Sequence, residues 1–117
     1  MDVAEVRAIA RGVRISPRKV RLVVNVIKGR PVDEAVAMLR FMPQRACEPV
    51  RKVIQSAAAN AEMQYNGDPT RLYVSSLVAD EGPMFKNRRV ARSKGRMSRL
   101  LSRTTHITVH VAEAEGE

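Results

Sequence analysis

The sequence predicts an α+β fold. Three segments carry apolar residues at helical spacing, other segments alternate as strands do, and a long basic stretch without an acid lies between the last two of those strands. At 117 residues, 44% of them hydrophobic, the chain suits one domain, 1–117, with a real but modest core.

Val6-Arg7-Ala8-Ile9-Ala10-Arg11 partly alternates and reads as a strand with its arginines on one side. Ser16-Pro17 starts the first helix, because serine suits an N-cap and proline the first helical position, where its missing N–H removes no bond. Val20, Val23, Val24 and Ile27 then form one apolar face, and Gly29 closes the segment as a C′ residue. From Pro31 a second helix runs to about Phe41, with a stripe of Val32, Ala35, Val36 and Leu39, and with Asp33 and Glu34 near its positive end. After Pro43 the positions Val50, Val53, Ile54, Ala57, Ala58 and Ala61 keep a helical period for three turns, the alanines allowing close approach. Pro49 leaves two outcomes open for this third helix: a start near Gln44 with a kink, or a late start.

Asn66-Gly67-Asp68-Pro69 is a turn cluster. Beyond it Leu72, Val74 and Val78 are expected on one side of a strand and Tyr73 and Leu77 on the other. In the last strand Thr105, Ile107, Val109 and Val111 alternate against His106, Thr108 and His110, and residues 112–117 read as a frayed acidic tail.

Between those strands lie Lys86, Arg88, Arg89, Arg92, Lys94, Arg96, Arg99 and Arg103. A charge run usually means a solvated or disordered stretch. Here it joins two strands that ought to pair, which reads as an extended hairpin at about 82–103 with Arg92, Ser93, Lys94 and Gly95 at its tip. With about 12 residues per arm it reaches on the order of 40 Å. So few apolar residues give it no core of its own, and it needs an anionic surface around it.

The balance of 21 Lys and Arg against 12 Asp and Glu, net +9, points to a polyanionic partner. Apolar runs are too short to span a membrane, and the acidic start lacks the basic region of a secretory signal, so a cytoplasmic location is expected. No phosphate loop, carboxylate pair or nucleophile elbow is present, so no enzyme, cofactor or small-molecule substrate is expected. The lone Cys47 reads as structural. His106 and His110 lie about 13 Å apart along a strand, too far for one metal ion, and suit phosphate contact or a wet surface better. Arg14, Arg18, Lys19, Arg21, Lys28 and Arg30 cluster around the first helix, and Arg51 and Lys52 interrupt the stripe of the third. Together they form a nucleic-acid footprint, rich in arginine for bidentate phosphate contact. Aromatic residues make up only 3%, which favours folded RNA read by shape over stacked single strands. A general architectural protein that bends duplex DNA is the competing reading, with Val90 or Met97 as an apolar wedge.

Several motifs, in order, resemble one family. Ile15-Ser16-Pro17-Arg18-Lys19-Val20-Arg21-Leu22-Val23, Ser56-Ala57-Ala58-Ala59-Asn60-Ala61, Asp80-Glu81-Gly82-Pro83, Lys94-Gly95-Arg96 and Arg103-Thr104-Thr105-His106-Ile107-Thr108-Val109 resemble the bacterial large-subunit ribosomal protein L twenty-two family over nearly the whole chain. The resemblance implies three helices packed on a small three-stranded antiparallel sheet, with a long protruding basic β-hairpin that reaches through ribosomal RNA to the wall of the polypeptide exit tunnel. It implies 23S ribosomal RNA, neighbouring large-subunit proteins and the nascent polypeptide as partners, and a role in early assembly. Carried over, Ser16, Arg18, Lys19, Arg21 and Asn60 face RNA, Gly82-Pro83 begins the hairpin, and Lys94-Gly95-Arg96 lies near its tip. The sequence departs from the family pattern at residues 87–92, one residue longer and without a proline, and at Pro49.

Overall fold

The computed structural model describes residues 5–65, 70–82, 85–91 and 97–113, with backbone alone for 65, 85–91 and 97–102. The element order is β1 (Glu5–Val13), α1 (Pro17–Ile27), α2 (Val32–Phe41), α3 (Cys47–Tyr65), β2 (Leu72–Glu81), β3 (Phe85–Ala91), β4 (Met97–Ser102) and β5 (Thr105–Glu113). The fold is α+β: three helices, a three-stranded antiparallel sheet in the order β1-β5-β2, and a separate two-stranded sheet of β3 and β4. The turn cluster at residues 66–69 lies outside the described residues.

Clean alternation makes β5 the central strand. Ile107, Val109 and Val111 are buried towards the helices, while His106, Thr108 and His110 are half-buried on the other face. All the helices lie on one side: α3 crosses β1 and β5, α1 lies against β2, and α2 packs on α3. The apolar faces close as their spacing requires, with Val20, Val23, Val24 and Ile27 of α1, Val32, Ala35 and Leu39 of α2, and Val50, Val53, Ile54, Ala57 and Ala61 of α3 all buried. Gly29 sits just past α1 with φ +83°, a left-handed turn that glycine adopts without strain.

That turn also protects a sheet edge. The Gly29 N–H donates to the Val74 carbonyl (3.1 Å) and the Val74 N–H donates to the Arg30 carbonyl (2.9 Å), so the outer side of β2 is paired there by main chain. Further along, the Arg21 guanidinium donates from Nε (3.2 Å) and Nη2 (3.0 Å) to the Ala79 carbonyl. An edge strand that would otherwise offer open hydrogen-bonding groups is thus covered by α1 and its exit turn.

The structure departs from the sequence reading in β2 and at the end of β5, and decides between the two outcomes open at Pro49. Leu77 and Ala79 share the buried face of β2 with Leu72 and Val74, whereas Val78 is 43% exposed. The cause is a bulge: Val74 pairs with Val111 and Ser76 with His110, leaving Ser75 as an extra residue that reverses the facing of everything after it. At Pro49 the late start is what occurs. α3 begins at Cys47, so proline stands in the first turn, where its missing N–H has no partner inside the helix, and the Val50 N–H reaches the Ala46 carbonyl at 3.4 Å. At the other end, Ala112 and Glu113 belong to β5, Ala112 is buried, and Glu113 meets Arg71 at 3.2 Å.

The chain is elongated, 68 × 25 × 18 Å, with a radius of gyration of 17.5 Å against about 13 Å for a compact chain of this length. Phe85 pairs with Ser102 at the base of the β3–β4 hairpin and Ala91 with Met97 nearest the tip. The tip residues Arg92, Ser93, Lys94 and Gly95, with Arg96, lie outside the described residues. Among the residues whose burial is described, the core comes from the helices, β1, β2, β5 and Ala46 of the loop between α2 and α3. Replacing residues 86–101 with Asn-Gly joins the paired Phe85 and Ser102 through a two-residue turn. Thermal unfolding of that variant is expected within about 4 °C of the parent, less than about 1 kcal/mol for a domain of this size; a larger fall would place the hairpin in the folding unit.

Candidate nucleic-acid interface

The first turn of α1 carries Ser16-Pro17-Arg18-Lys19. Ser16 holds the N-cap with an extended backbone (φ −64°, ψ 145°), yet its hydroxyl makes no capping bond; its carbonyl accepts from the N–H groups of Lys19 (3.1 Å) and Val20 (3.2 Å). No acid stands in this first turn. Arg18 and Lys19, both exposed, therefore add positive charge where the helix dipole is already positive. In α2 the arrangement is the usual one, with Asp33 and Glu34 in the first turn and Arg40 in the last. The reversed pattern in α1 disfavours the isolated protein and is relieved by an anion at that end.

The cations divide into two groups. Arg21 is held by Ala79, Arg30 bonds the Val26 carbonyl (2.8 Å) and Glu34 (2.8 Å), Lys52 meets Glu48 at 3.2 Å, and Arg71 meets Glu113. Arg18, Lys19, Lys28, Arg40, Arg45 and Arg51 make no hydrogen bond or ion pair through their side chains to another described residue. Of this second group, Lys19 and Arg45 line one concavity together with Arg14 and Ser16, and Arg40, Arg45 and Arg51 line the one beside it. Lys28 lies at the far end of α1, about 15 Å from Arg18 by helix rise. Asn60 is half-buried on α3, about 13 Å along that helix from Arg51. Sequence reasoning did not include Arg40 and Arg45; no local pattern marks them, because only the fold brings residues 40–45 beside residues 14–19.

The hairpin root adjoins the same turn. Arg103 is exposed and borders a narrow cleft with Pro17, Glu81, Gly82 and Thr104. Thr104 and Thr105 are buried; the Thr105 hydroxyl donates to the Ile15 carbonyl, and the Gly82 N–H donates to the Thr104 carbonyl (2.9 Å). His106 Nδ1 accepts from the Gly12 N–H at 3.1 Å, which leaves the proton of the neutral ring on Nε2. Gly12, φ +68°, lies in the bulge where Ala10 pairs with Ile107 and Val13 with Thr105. Within the hairpin Lys86, Arg88 and Arg89 belong to β3 and Arg99 to β4, and the register sets Arg89 directly across from Arg99. Like charges so placed destabilise a hairpin that stands alone.

Among the described residues no cluster of three His, Cys, Asp or Glu could hold a metal, and no helix is long and apolar enough to cross a membrane. Burial pushes the Cys47 thiol up, only partly countered by a hydrogen bond with Gln44.

Cations without a partner among the described residues, beside the root of a basic two-stranded arm on a small α+β domain, are the pattern of a ribonucleoprotein component. Residues 8–112 match the family model of ribosomal protein L22p/L17e. The chain is 55% identical over 111 residues to large ribosomal subunit protein uL22 of Thermoanaerobacter sp. (strain X514), covering 95% of this chain and 99% of that protein. It is 48% identical over 109 residues to the protein of the same name from Chloroflexus aggregans, covering 93% and 96%, and 49% identical over 113 residues to that of Synechococcus sp. (strain JA-3-3Ab), covering 97% and 91%. The chain belongs to the ribosomal protein L22 family and is a structural constituent of the large ribosomal subunit, not an enzyme.

The hairpin root is sterically closed. A Cβ on Gly82 would lie 2.5 Å from Thr104 Oγ1 and 3.1 Å from His106 Cε1. Gly82→Ala is expected to lower stability by about 1–3 kcal/mol through overpacking, read as a shift of the urea midpoint at unchanged slope. An unaltered midpoint would show that Thr104 can move aside.

Proposed function

We propose that the chain acts as a single domain, 1–117, that binds 23S ribosomal RNA, supports subunit assembly, and extends the hairpin of residues 82–103 to the wall of the polypeptide exit tunnel, where its tip meets the nascent polypeptide. The observation that carries this reading is that Arg18 and Lys19 at the start of α1 have no partner among the described residues, beside a hairpin whose root is bonded to that region. Membership of a ribosomal family leaves no support for the architectural DNA-bending alternative. As a ribosomal component the protein works in the cytoplasm, beside other large-subunit proteins.

In this reading Arg14, Ser16, Arg18, Lys19 and Arg51 contact RNA from the globular domain, with Lys28, Lys52, Asn60 and His106 at its margins. Lys86, Arg88, Arg89, Arg92, Lys94, Arg96, Arg99 and Arg103 neutralise phosphates along the hairpin. Arg21 has a divided role. Its bonds to Ala79 hold α1 against β2, and only its remaining donors are left for RNA.

Binding to 23S RNA is expected to weaken with salt, log affinity falling by about 0.7–0.9 per phosphate neutralised for each unit of log salt. Arg18→Gln should lower that slope by about one contact and leave thermal stability unchanged. Arg21→Gln should lower the melting temperature as well. Titrations of both variants between low and moderate salt, beside thermal melts, separate the two. A salt-independent affinity in the parent protein would refute phosphate contact as the basis of binding.

The variant with residues 86–101 replaced should still cosediment with large subunits that lack this protein, through Arg18 and Lys19. Chemical probing of the tunnel wall in those subunits should then differ from wild type. Failure to enter the subunit would mean that the hairpin, not the domain, carries attachment.

A further inference from the structure

The loop between α2 and α3 comes to rest against the start of α1, and between them lie two adjoining concavities of about 370 and 380 Å³ that share Gln44 and Arg45. The first is lined by apolar Ile15, Leu22 and Ala46 together with cations, Lys19 and Arg45 among them. Leu22 is 63% exposed, a large apolar side chain left in water on a helix whose other face supplies the core. The second continues the cationic border through Arg40 and Arg51. Its one acid, Glu48, is already paired with Lys52 at 3.2 Å.

We propose that the first concavity receives one unstacked nucleotide of the bound RNA. Its base lies on Leu22, Ile15 and Ala46, its phosphate is held by Lys19 and Arg45, and the adjoining phosphate runs on to Arg40 and Arg51. This rests on the RNA-binding reading above and deepens it. Apolar and cationic side chains lining one concavity match the two parts of a nucleotide, a flat base and an anionic phosphate. Phosphate contact alone would need no exposed leucine, and a protein partner would meet unpaired cations with no neutralising acid of the chain's own. A volume of about 370 Å³ suits a ligand of nucleotide size. Base edges find hydrogen-bonding groups in Gln44 and Ser16, and arginine guanidinium planes offer a stacking surface that the few aromatic residues cannot.

The test uses the full chain and a 23S RNA transcript, comparing Leu22→Gln, Arg45→Gln and, on the exposed end of α3 away from the groove, Met63→Gln. Leu22→Gln is expected to weaken binding at least about fivefold, the lower end of what one seated base contributes, without changing the salt slope. Arg45→Gln should lower the slope by about one phosphate contact, and Met63→Gln should match the parent. Probing the RNA by 2′-hydroxyl acylation should find one nucleotide whose reactivity changes on binding the parent and reverts with Leu22→Gln. If the parent binds with its full salt dependence while Leu22→Gln and Arg45→Gln bind as tightly as it does, the nucleotide site is overturned and RNA binding stands. If the parent fails to bind the transcript, both readings fall together. Loss of a neighbouring ribosomal protein from reconstituted subunits carrying Leu22→Gln, with RNA affinity unchanged, would assign the groove to a protein partner and overturn the proposal.

Discussion

The N-terminal end of β5 is the point on which the rest of the molecule depends. Two consecutive buried threonines stand there: the hydroxyl of Thr105 accounts for the carbonyl of Ile15, and the carbonyl of Thr104 accounts for the N–H of Gly82. The first bond fixes where the chain enters α1, and so where Arg18 and Lys19 stand. The second fixes where the chain leaves β2 for the hairpin. The threonines that supply the partners are buried, and breaking either bond loses a hydrogen bond formed partly out of water. Because both bonds meet in adjacent residues, Thr105 opening the central strand and Thr104 just before it, the α1 motif and the hairpin root keep one mutual geometry. Gly82 belongs to the same constraint, since a side chain there would occupy the space of the Thr104 hydroxyl.

Around that joint the charge is arranged at the expense of the isolated protein. A helix normally favours acids at its start, as α2 shows, yet α1 begins with two bases. Arg89 faces Arg99 across the hairpin where opposite charges would stabilise it. Three ion pairs form among the described residues, Arg30 with Glu34, Lys52 with Glu48 beside Arg51, and Arg71 with Glu113. Being exposed, they contribute little. The net positive charge left over repels itself in the isolated chain, and an anionic surface would relieve that repulsion.

Much of this was legible in the sequence, and the failures have physical causes. α1 and α2 were readable because cap, proline, glycine and apolar period agree on the same boundaries. β5 was readable because a central strand covered on one face must alternate without interruption. β2 was misread beyond Val74 because one inserted residue reverses all later side chains, and Ser75 is neither a glycine nor any other residue that announces a bulge; only pairing with β5 reveals it, with the Ser75 hydroxyl bonded to the His110 carbonyl at 3.1 Å. Pro49 was ambiguous because proline is tolerated in a first turn and disruptive three residues later, and the start of α3 is set by main-chain bonds at Gln44 and Ala46 that no side chain signals. In the candidate site Arg18 and Lys19 were visible as a local cluster. The neighbourhood of Arg40 and Arg45 was not, because it arises from the packing of a loop against a turn some 25 residues earlier in the chain.

The two sheets show why one protein needs both a closed and an open solution to the same problem. In the three-stranded sheet, β2 has its outer edge covered by Gly29, Arg30 and the Arg21 guanidinium, so the domain does not offer that edge for further pairing. Among the described residues no third strand joins β3 and β4, and a two-stranded ribbon is at best marginally stable in water. Its edges would invite pairing between copies if they were apolar. Arginines and a lysine along β3, and Arg99 on β4, oppose this, because a second ribbon approaching either edge brings like charge with it. The same residues that bar a protein strand attract phosphate. Basic character along the ribbon therefore opposes self-association of the free chain and at the same time suits the arm to an anionic surface.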